Sequence, residues 1–373
     1  MKTILHMIET SGPGGAENVL INISAHIDKS RFRSIVCLRK EGWLRDQLER
    51  KNIPTYVIQE NGFVDPRFAI ELLRVVRRER VALIHSHEFL MSFYGSVIGK
   101  ILKRPVLSTF HGKNYYPEKK RRRLLVAFIS RNSEMVCVSN ELAQFLKSRI
   151  GIKAMPRTIY NGIDLATCSA TCGKEDLKEQ LGIRKDSRIV GTVGNLYPVK
   201  GQVYLIRAIP RVIRENPNVV FVFAGRGGEE ERLRQEARNL NVSDRVFLLG
   251  FRSDIFALLE ILDVFVLPSL SECLPVAVLE AMAKRIPPVV TDVGGNREII
   301  DDQINGFIVP PGREEALAER ITYLLRNGEV AKEIGAKAFQ TVRERFTLEK
   351  MVAKYEELYD SLLLNRRNYN IRD

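Results

Sequence analysis

The sequence predicts an α/β protein of two doubly wound, parallel-sheet domains with a ligand cleft at the carboxyl ends of the strands. Three observations carry that expectation. Short runs rich in Val, Ile and Leu alternate with stretches of helical period along nearly the whole chain. The alternation breaks once, in a polar stretch over 166–185, and then restarts. The length of 373 residues suits two domains of ordinary size, divided at 165/166.

In the first half the pattern predicts strands over 3–9, 34–38, 55–58, 82–86, 106–109, 135–139 and 157–160. Helices are predicted over 15–27, 43–50, 66–78, 91–102, 119–129 and 140–149. The polar stretch 166–185 reads as a linker. Beyond it, strands are predicted over 188–193, 219–224, 246–249, 264–267, 289–291 and 306–309. The helices there fall at 202–213, 229–239, 254–260, 275–284, 296–300, 314–327, 329–346 and 348–364, with Asn327-Gly328 as a stop signal. No internal repeat or low-complexity tract interrupts the series.

Composition narrows the function. The hydrophobic share of 45% is that of a globular protein. Lys and Arg number 58 against 45 for Asp and Glu, a balance of +13 that favours an anionic partner. Nucleic acid fits poorly, because aromatics are not interleaved with the basic residues and no recognition motif occurs. The 5 cysteines (37, 137, 168, 172 and 273) are scattered and odd in number, which points to a reducing compartment without a disulfide framework. Cys168 and Cys172 lack a second ligand pair and read as linker thiols, not a zinc site. Met1 to Glu9 is too short and too soon interrupted for a signal peptide. No run reaches the ~20 apolar residues of a membrane span. The expectation is a cytoplasmic protein with room for peripheral contact with a membrane.

The most informative stretch runs from Pro268 to Lys284. It reads as a strand end, a loop and an apolar helix, with Pro275 at the first helical position. Glu280 stands inside that helix and Glu272 just before it. A buried carboxylate needs a partner. A nearby Arg or backbone N–H groups would satisfy Glu280. Alternatively, the helix start holds a phosphate while Glu280, about 7 Å along the axis, accepts hydroxyls of the same ligand. A sugar-diphosphate-ribose molecule has that layout.

Other loops follow strands in the same way. Thr10 to Glu17 contains Gly12, Gly14 and Gly15, which suit either close approach of a ligand or a plain tight turn. It fails the dinucleotide fingerprint, because Glu17 holds the sixth position and Arg39 stands where an acid is needed; the P-loop pattern is also missing. His85 and His87, followed by Glu88, lack an identifiable third ligand and read as cleft or core histidines before a metal pair. His111, before Gly112 at a strand end, is placed for a substrate or for a structural role. Lys119, Lys120, Arg121, Arg122 and Arg123 lead into an apolar helix. They read as an interfacial segment for anionic lipid or as a solvated charge run. Lys200 follows a strand and could neutralise a diphosphate. Residues 224–228 leave room for a ligand, whereas Gly294-Gly295 and Asn305-Gly306 read as turn chemistry.

Together these pieces resemble the retaining glycosyltransferases of family 4, along nearly the whole chain. Gly14-Gly15-Ala16-Glu17 resembles that family's first loop, Asn161-Gly162-Ile163-Asp164 the close of its first domain, and Pro268-Ser269, Glu272 and Glu280 its glutamate signature. The resemblance implies the GT-B fold of two Rossmann-like domains facing a central cleft. Residues 1–165 would form the acceptor side and 166–347 the nucleotide-sugar side, with a C-terminal helix over 348–373 packing back on the first domain. It implies that Glu280 binds the ribose and that Glu272, with backbone N–H groups of Cys273, Leu274, Pro275 and Val276 where present, holds sugar and phosphates. Lys200 would contact the diphosphate, His111 the transferred sugar, and Gly14 and Gly15 the donor phosphate. Gly225, Arg226, Phe251 and Arg252 would border the nucleoside, with His87 and Glu17 toward the acceptor.

The resemblance further implies transfer of a sugar from a nucleotide diphosphate donor to a glycan or lipid-linked acceptor. Front-face attack with the leaving phosphate as base would retain configuration without a bound metal. No Asp-x-Asp triplet occurs in the chain. The chain departs from the family's pattern at Asn195, where Arg is usual, so Arg226 or another cation compensates or turnover is slow. Cys273, Leu274 and Arg297 also depart, which leaves the donor open. The alternative readings are a nucleotide-sugar epimerase or phosphorylase on the same architecture, and a nucleotide-sugar-binding protein with little turnover.

Overall fold

The computed structural model describes residues 1–59, 65–113, 120–152, 154–168 and 173–369. It divides into two compact units, Met1–Gly162 with Leu348–Asp373, and Ile163–Thr347.

The strands of the first unit are β1 (Lys2–Ile8), β2 (Phe32–Leu38), β3 (Thr55–Val57), β4 (Val81–His87), β5 (Val106–Phe110), β6 (Glu134–Cys137) and β7 (Arg157–Thr158). They form one 7-stranded sheet in the order β3-β2-β1-β4-β5-β6-β7. Every pairing is parallel. Such a sheet is covered on both faces, which is why β1, β4 and β5 are almost wholly buried. The order reverses between β1 and β4, so the loops after these two strands part there and leave a crevice. The helix Leu348–Tyr369 closes one face, burying Met351, Tyr355 and Tyr359 with Ile4, Phe32, Leu83 and Leu107. Arg31 ties it down through ion pairs to Glu356, at 3.2 Å, and Asp360.

The second unit contains β8 (Arg188–Val193), β9 (Val219–Ala224), β10 (Val246–Leu248), β11 (Val264–Leu267), β12 (Pro288–Thr291) and β13 (Phe307–Val309). Its 6-stranded parallel sheet runs β10-β9-β8-β11-β12-β13. The reversal lies between β8 and β11. Helices Gln202–Glu215 and Glu314–Arg326 bury Leu205, Ile209, Leu317 and Ile321 on one face.

Three elements differ from the sequence expectation. The linker contains a helix, Lys174–Gln180, with Leu177 buried and Glu175 and Asp176 in its first turn. A helix of 7 residues with one buried apolar side chain leaves no periodicity to read. Pro275 is the N-cap, with φ −71° and ψ 115°, and the helix itself is Val276–Ala283. Its extended ψ ends the loop before the helix begins, and Pro brings no side-chain oxygen to cap the first turn. The expected helix over 140–149 is α-helical only across Asn140–Phe145 and then widens to a π turn, Leu146–Ile150.

No helix of the described residues is long and apolar enough to cross a membrane.

Candidate active site

In the second unit the loops after β8, β9, β10 and β11 are joined backbone to backbone, and the end of β12 is tied to them through a side chain. Leu196 N donates to the Arg226 carbonyl (3.0 Å), Gly225 N to Gly250 (2.8 Å), and Leu270 N to Val199 (2.8 Å). The Thr291 hydroxyl donates to the Ser269 carbonyl at 2.6 Å. Two glycines permit this closeness. A side chain on Gly225 would strike the Gly194 carbonyl, and one on Gly294 (φ +55°) the Glu272 carbonyl.

That weave presents the charged residues at the reversal point. Lys200 Nζ donates to Glu272 Oε1 at 2.7 Å, and the Ser269 hydroxyl donates to the same oxygen at 2.7 Å. Glu272 is buried, so this ion pair is partly withdrawn from solvent. Cys273, Leu274 and Pro275 are buried behind it, and Val276 is half-buried. Glu280 differs from Glu272. It is half-buried, and its carboxyl makes no hydrogen bond or ion pair among the described residues. Burial pushes its pKa up to about 7. The partner that either an Arg or backbone groups would have supplied is not there.

Of the bordering residues Arg226 and Phe251 are exposed, and Gly225 and Arg252 half-buried. The Arg226 guanidinium lies 5.5 Å from the centre of the Phe251 ring, and Arg226 has no carboxylate partner among the described residues. Arg252 instead grips Asp254 through both ends of its fork, with Nε donating to Oδ1 at 2.8 Å. The Asn195 side chain makes no hydrogen bond among the described residues, while the Asn195 main-chain carbonyl accepts from Gln202 Nε2 at 3.0 Å.

In the first unit the reversal point gathers imidazoles and carboxyls. His87, the last residue of β4, and His111, just after β5, lie side by side, with His87 Nδ1 2.9 Å from His111 Nε2. Their rings are nearly parallel, at 16°, with centres 5.2 Å apart, so they meet edge to edge through the two nitrogens. His85 lies deeper, its Nδ1 2.7 Å from the Tyr359 hydroxyl and its Nε2 2.8 Å from the Thr109 hydroxyl. Burial drives all of them toward the neutral form: His6 and His111 down to about 3, His85 and His87 well below the ordinary value.

The acids shift the opposite way. Glu88 is buried and pushed up to about 8, first by burial and then by the charges of Glu9 and Glu17, against a hydrogen bond from the His111 backbone N–H. Glu17 is raised by burial, while the Thr10 hydroxyl donates to its Oε1 at 2.5 Å. Gly14 caps the helix Gly15–His26 and is packed against the Glu17 carboxyl; Gly15 is exposed. Arg39, at the end of β2, pairs with Glu9 at 3.3 Å.

The structure thus brings His111, His87 and Glu17 to one crevice, and Lys200, Glu272, Asn195 and Arg226 to joined loops in the other unit. His6, His85 and His87 each offer a ring nitrogen within 4.8 Å of the others, a grouping that could hold a metal ion. Both nitrogens of His85 already have partners, so an ion there would have to break one of those bonds. Lys119 and Cys172 lie outside the described residues, and of Lys120, Arg121 and Arg122 only the backbone, in the helix Lys120–Asn132, is described. Arg123 is exposed, with Nη2 donating to the Arg149 carbonyl at 3.2 Å.

Sequence reasoning missed His6, gave Ser269 no role beyond its place in the signature, and passed over Glu88 as a residue in its own right. His6 had a signal, a polar residue in the otherwise apolar run of β1. Glu88 had none, because its positive φ of 66° is invisible in an ordinary acidic residue.

The comparisons with known proteins agree with this architecture. Residues 13–167 match the model of Glycosyltransferase Family 4, and residues 173–341 that of Glycosyl transferases group 1. The chain belongs to the family 4 glycosyltransferases with the GT-B fold, and is an enzyme of that kind. It is 26% identical over 336 residues to the UDP-Gal:alpha-D-GlcNAc-diphosphoundecaprenol alpha-1,3-galactosyltransferase of Escherichia coli, covering 87% of both chains. It is 26% identical over 318 residues to the N-acetyl-alpha-D-glucosaminyl L-malate synthase of Bacillus anthracis, covering 82% of both. The crystal structure of Anabaena Alr3699/HepE in complex with UDP-glucose is similar with a TM-score of 0.87 at 25% identity, across 97% of this chain and 100% of that one.

Proposed function

We propose that the protein transfers a hexose from a UDP-sugar to a lipid-linked glycan in polysaccharide assembly, with retention of configuration. The observation that carries the donor half is the half-buried Glu280, without a partner among the described residues, on the helix whose N-cap, Pro275, provides no capping oxygen. A diphosphate at the helix start and ribose hydroxyls at Glu280 satisfy both. Support for UDP comes from the Escherichia coli relative and from the Anabaena structure, and that relative's name supports a lipid-linked acceptor.

In this reading Lys200 stabilises the departing diphosphate, with Glu272 and the backbone N–H groups of Cys273, Leu274 and Val276 around the sugar and phosphates. Gly14 and Gly15 face the donor phosphate, and His111 contacts the transferred sugar. Gly225, Arg226, Phe251 and Arg252 border the nucleoside. Arg226, whose charge has no carboxylate partner among the described residues, makes up for the cation missing at Asn195. His87 and Glu17 serve the acceptor side. The acceptor hydroxyl attacks from the face the nucleotide leaves, and the leaving phosphate takes its proton. The protein positions the reactants and requires no metal. The site of action is the cytoplasmic face of a membrane, with Lys119 to Arg123 against anionic lipid.

The comparisons favour neither an epimerase nor a binding protein. Incubating the protein with UDP-glucose, UDP-galactose or UDP-N-acetylglucosamine and polyprenyl-diphosphate-linked acceptors should release UDP and give an α-linked product by NMR. Binding of every donor without UDP release would sink the transferase reading. A β-linked product would sink retention. Reversing the charges of Lys119 to Arg123 should abolish sedimentation with anionic liposomes, and an unaltered sedimentation would remove the membrane contact.

A further inference from the structure

The hydrogen bond between His87 and His111 has a direction, and the surroundings of the two rings decide it. Each imidazole is neutral, held there by burial, so each carries a single ring proton. With His87 Nδ1 and His111 Nε2 at 2.9 Å, one of them donates. The two outer nitrogens, His87 Nε2 and His111 Nδ1, are both buried and have no hydrogen-bond partner among the described residues.

If His111 donated from Nε2, the proton of His87 would sit on its Nε2. That N–H would be stranded on a ring with 0% exposure, beside the rings of His85 and His6. If His87 donates from Nδ1, the stranded N–H is on His111 Nδ1 instead; that atom is covered too, but its residue is half-buried where His87 has 0% exposure, so it is the orphan nearer solvent. A buried N–H without an acceptor is the costlier orphan, so it belongs where an arriving molecule can satisfy it.

We infer that His87 is a positioning residue that donates from Nδ1 to His111 and thereby fixes the proton of His111 on Nδ1, making His111 a hydrogen-bond donor to the transferred sugar. The last clause rests on the function proposed above. Glu88 completes the hold on the main-chain side by accepting the His111 backbone N–H. Residues 87 and 88 at the end of β4 thus restrain His111 through side chain and backbone respectively.

The chain has 5 histidines, so ring nitrogens can be read one by one in the full-length, 15N-histidine-labelled protein near neutral pH. The signals of His111 are assigned by their loss in His111→Asn. His111 should show a protonated Nδ1 and a bare Nε2. His87→Leu should abolish that pattern, and His87→Asn, whose amide N–H can replace the Nδ1 donor, should keep it. Transfer from UDP-glucose should follow, with kcat falling about tenfold in His87→Leu, KM for the donor little changed, and recovery in His87→Asn.

A bare Nδ1 on His111 in the wild-type protein overturns the inference. So does an unchanged pattern in His87→Leu, or an unchanged kcat once the pattern is lost. If His87→Leu does not fold, the wild-type spectrum and His87→Asn decide. Absence of any sugar transfer by the wild type, with the Nδ1 proton found in place, would instead refute the proposed function and leave the tautomer standing.

Discussion

The two units share one strand order, and each gathers its polar residues where that order reverses, but they treat charge in opposite ways. In the first unit burial removes it: imidazoles titrate far below neutral pH, and Glu88 titrates above it. In the second unit charge is kept and paired, with Lys200 on Glu272, or left waiting, as on Arg226, while Glu280 is partly discharged, its pKa pushed up to about 7 by burial. Neutral groups held by several bonds suit orientation. Ionic groups on joined backbone loops suit the binding of a charged donor. Similar topology therefore supports two kinds of chemistry, and the difference lies in which side chains follow the strands.

The sharpest way to break this contrast is to remove the cation. Lys200→Met should lower kcat for transfer from UDP-glucose by about 100-fold or more, the range seen when one preorganised electrostatic contact is deleted. The variant also strands the Glu272 carboxylate, so Glu272→Gln in the same background should recover lost thermal stability without recovering kcat. A Lys200→Met enzyme with wild-type kcat would make the second unit a scaffold and erase the distinction.

Glu280 sharpens the same contrast through binding. Glu280→Ala should weaken UDP-glucose about 30- to 100-fold by calorimetry, the worth of hydrogen bonds to an ionised acceptor. The wild-type affinity should rise as pH passes upward through about 7, because only the carboxylate accepts two hydroxyls and the free group titrates there. UDP-glucose suits the measurement because its diphosphate is esterified at both ends and does not titrate in that range. A pH-independent affinity, or equal affinity in the Ala variant, would take the ribose away from Glu280.

In the first unit the corresponding test is stability against pH. The Glu88 pKa is raised from the model-compound value of 4.5 to about 8 on folding. The sign follows: its stabilising contribution is full below the unfolded value and is lost as pH climbs through about 8. Glu88→Gln removes that loss. The stability of Glu88→Gln relative to wild type should therefore increase between about pH 5 and pH 7.5, by about 3 kcal/mol. Parallel curves would mean that Glu88 is ionised in place, and the neutral character assigned to this crevice would fail.

These contrasts were unequally legible in the sequence. The parallel sheets were, because strands buried on both faces must be written in runs such as Val219–Ala224. The order of loops placed Lys200, Glu272 and His111 after strands, and the structure has them after β8, β11 and β5. What stayed hidden depended on three-dimensional pairing. The bond between His87 and His111 joins neighbouring strands 24 residues apart, and the bond from His85 to Tyr359 spans 274. Neither has a local pattern. Glu272 and Glu280 look alike in sequence, yet one is paired and the other open, because only the loop after β8 brings Lys200 to the first.

The smallest expected effect isolates the backbone at that same corner. Glu88 has φ 66° and ψ 179°, a region that only glycine enters without strain. Its nitrogen donates to the Thr109 carbonyl at 2.9 Å and its carbonyl accepts from Ser92 at 3.1 Å, so strand and helix together hold the conformation. Glu88→Gly and Glu88→Ala both delete the carboxyl and its bond to His111, and they differ only in the Cβ. Ordinarily Ala is the more stable of such a pair, since it restricts the unfolded chain. Here the order should invert, with Glu88→Gly more stable than Glu88→Ala by about 1 kcal/mol in denaturant unfolding. If Ala is instead the more stable, the corner can relax when the carboxyl is gone, and the strain belongs to the Glu88 side chain and its grip on His111, not to the backbone path from β4 into the helix.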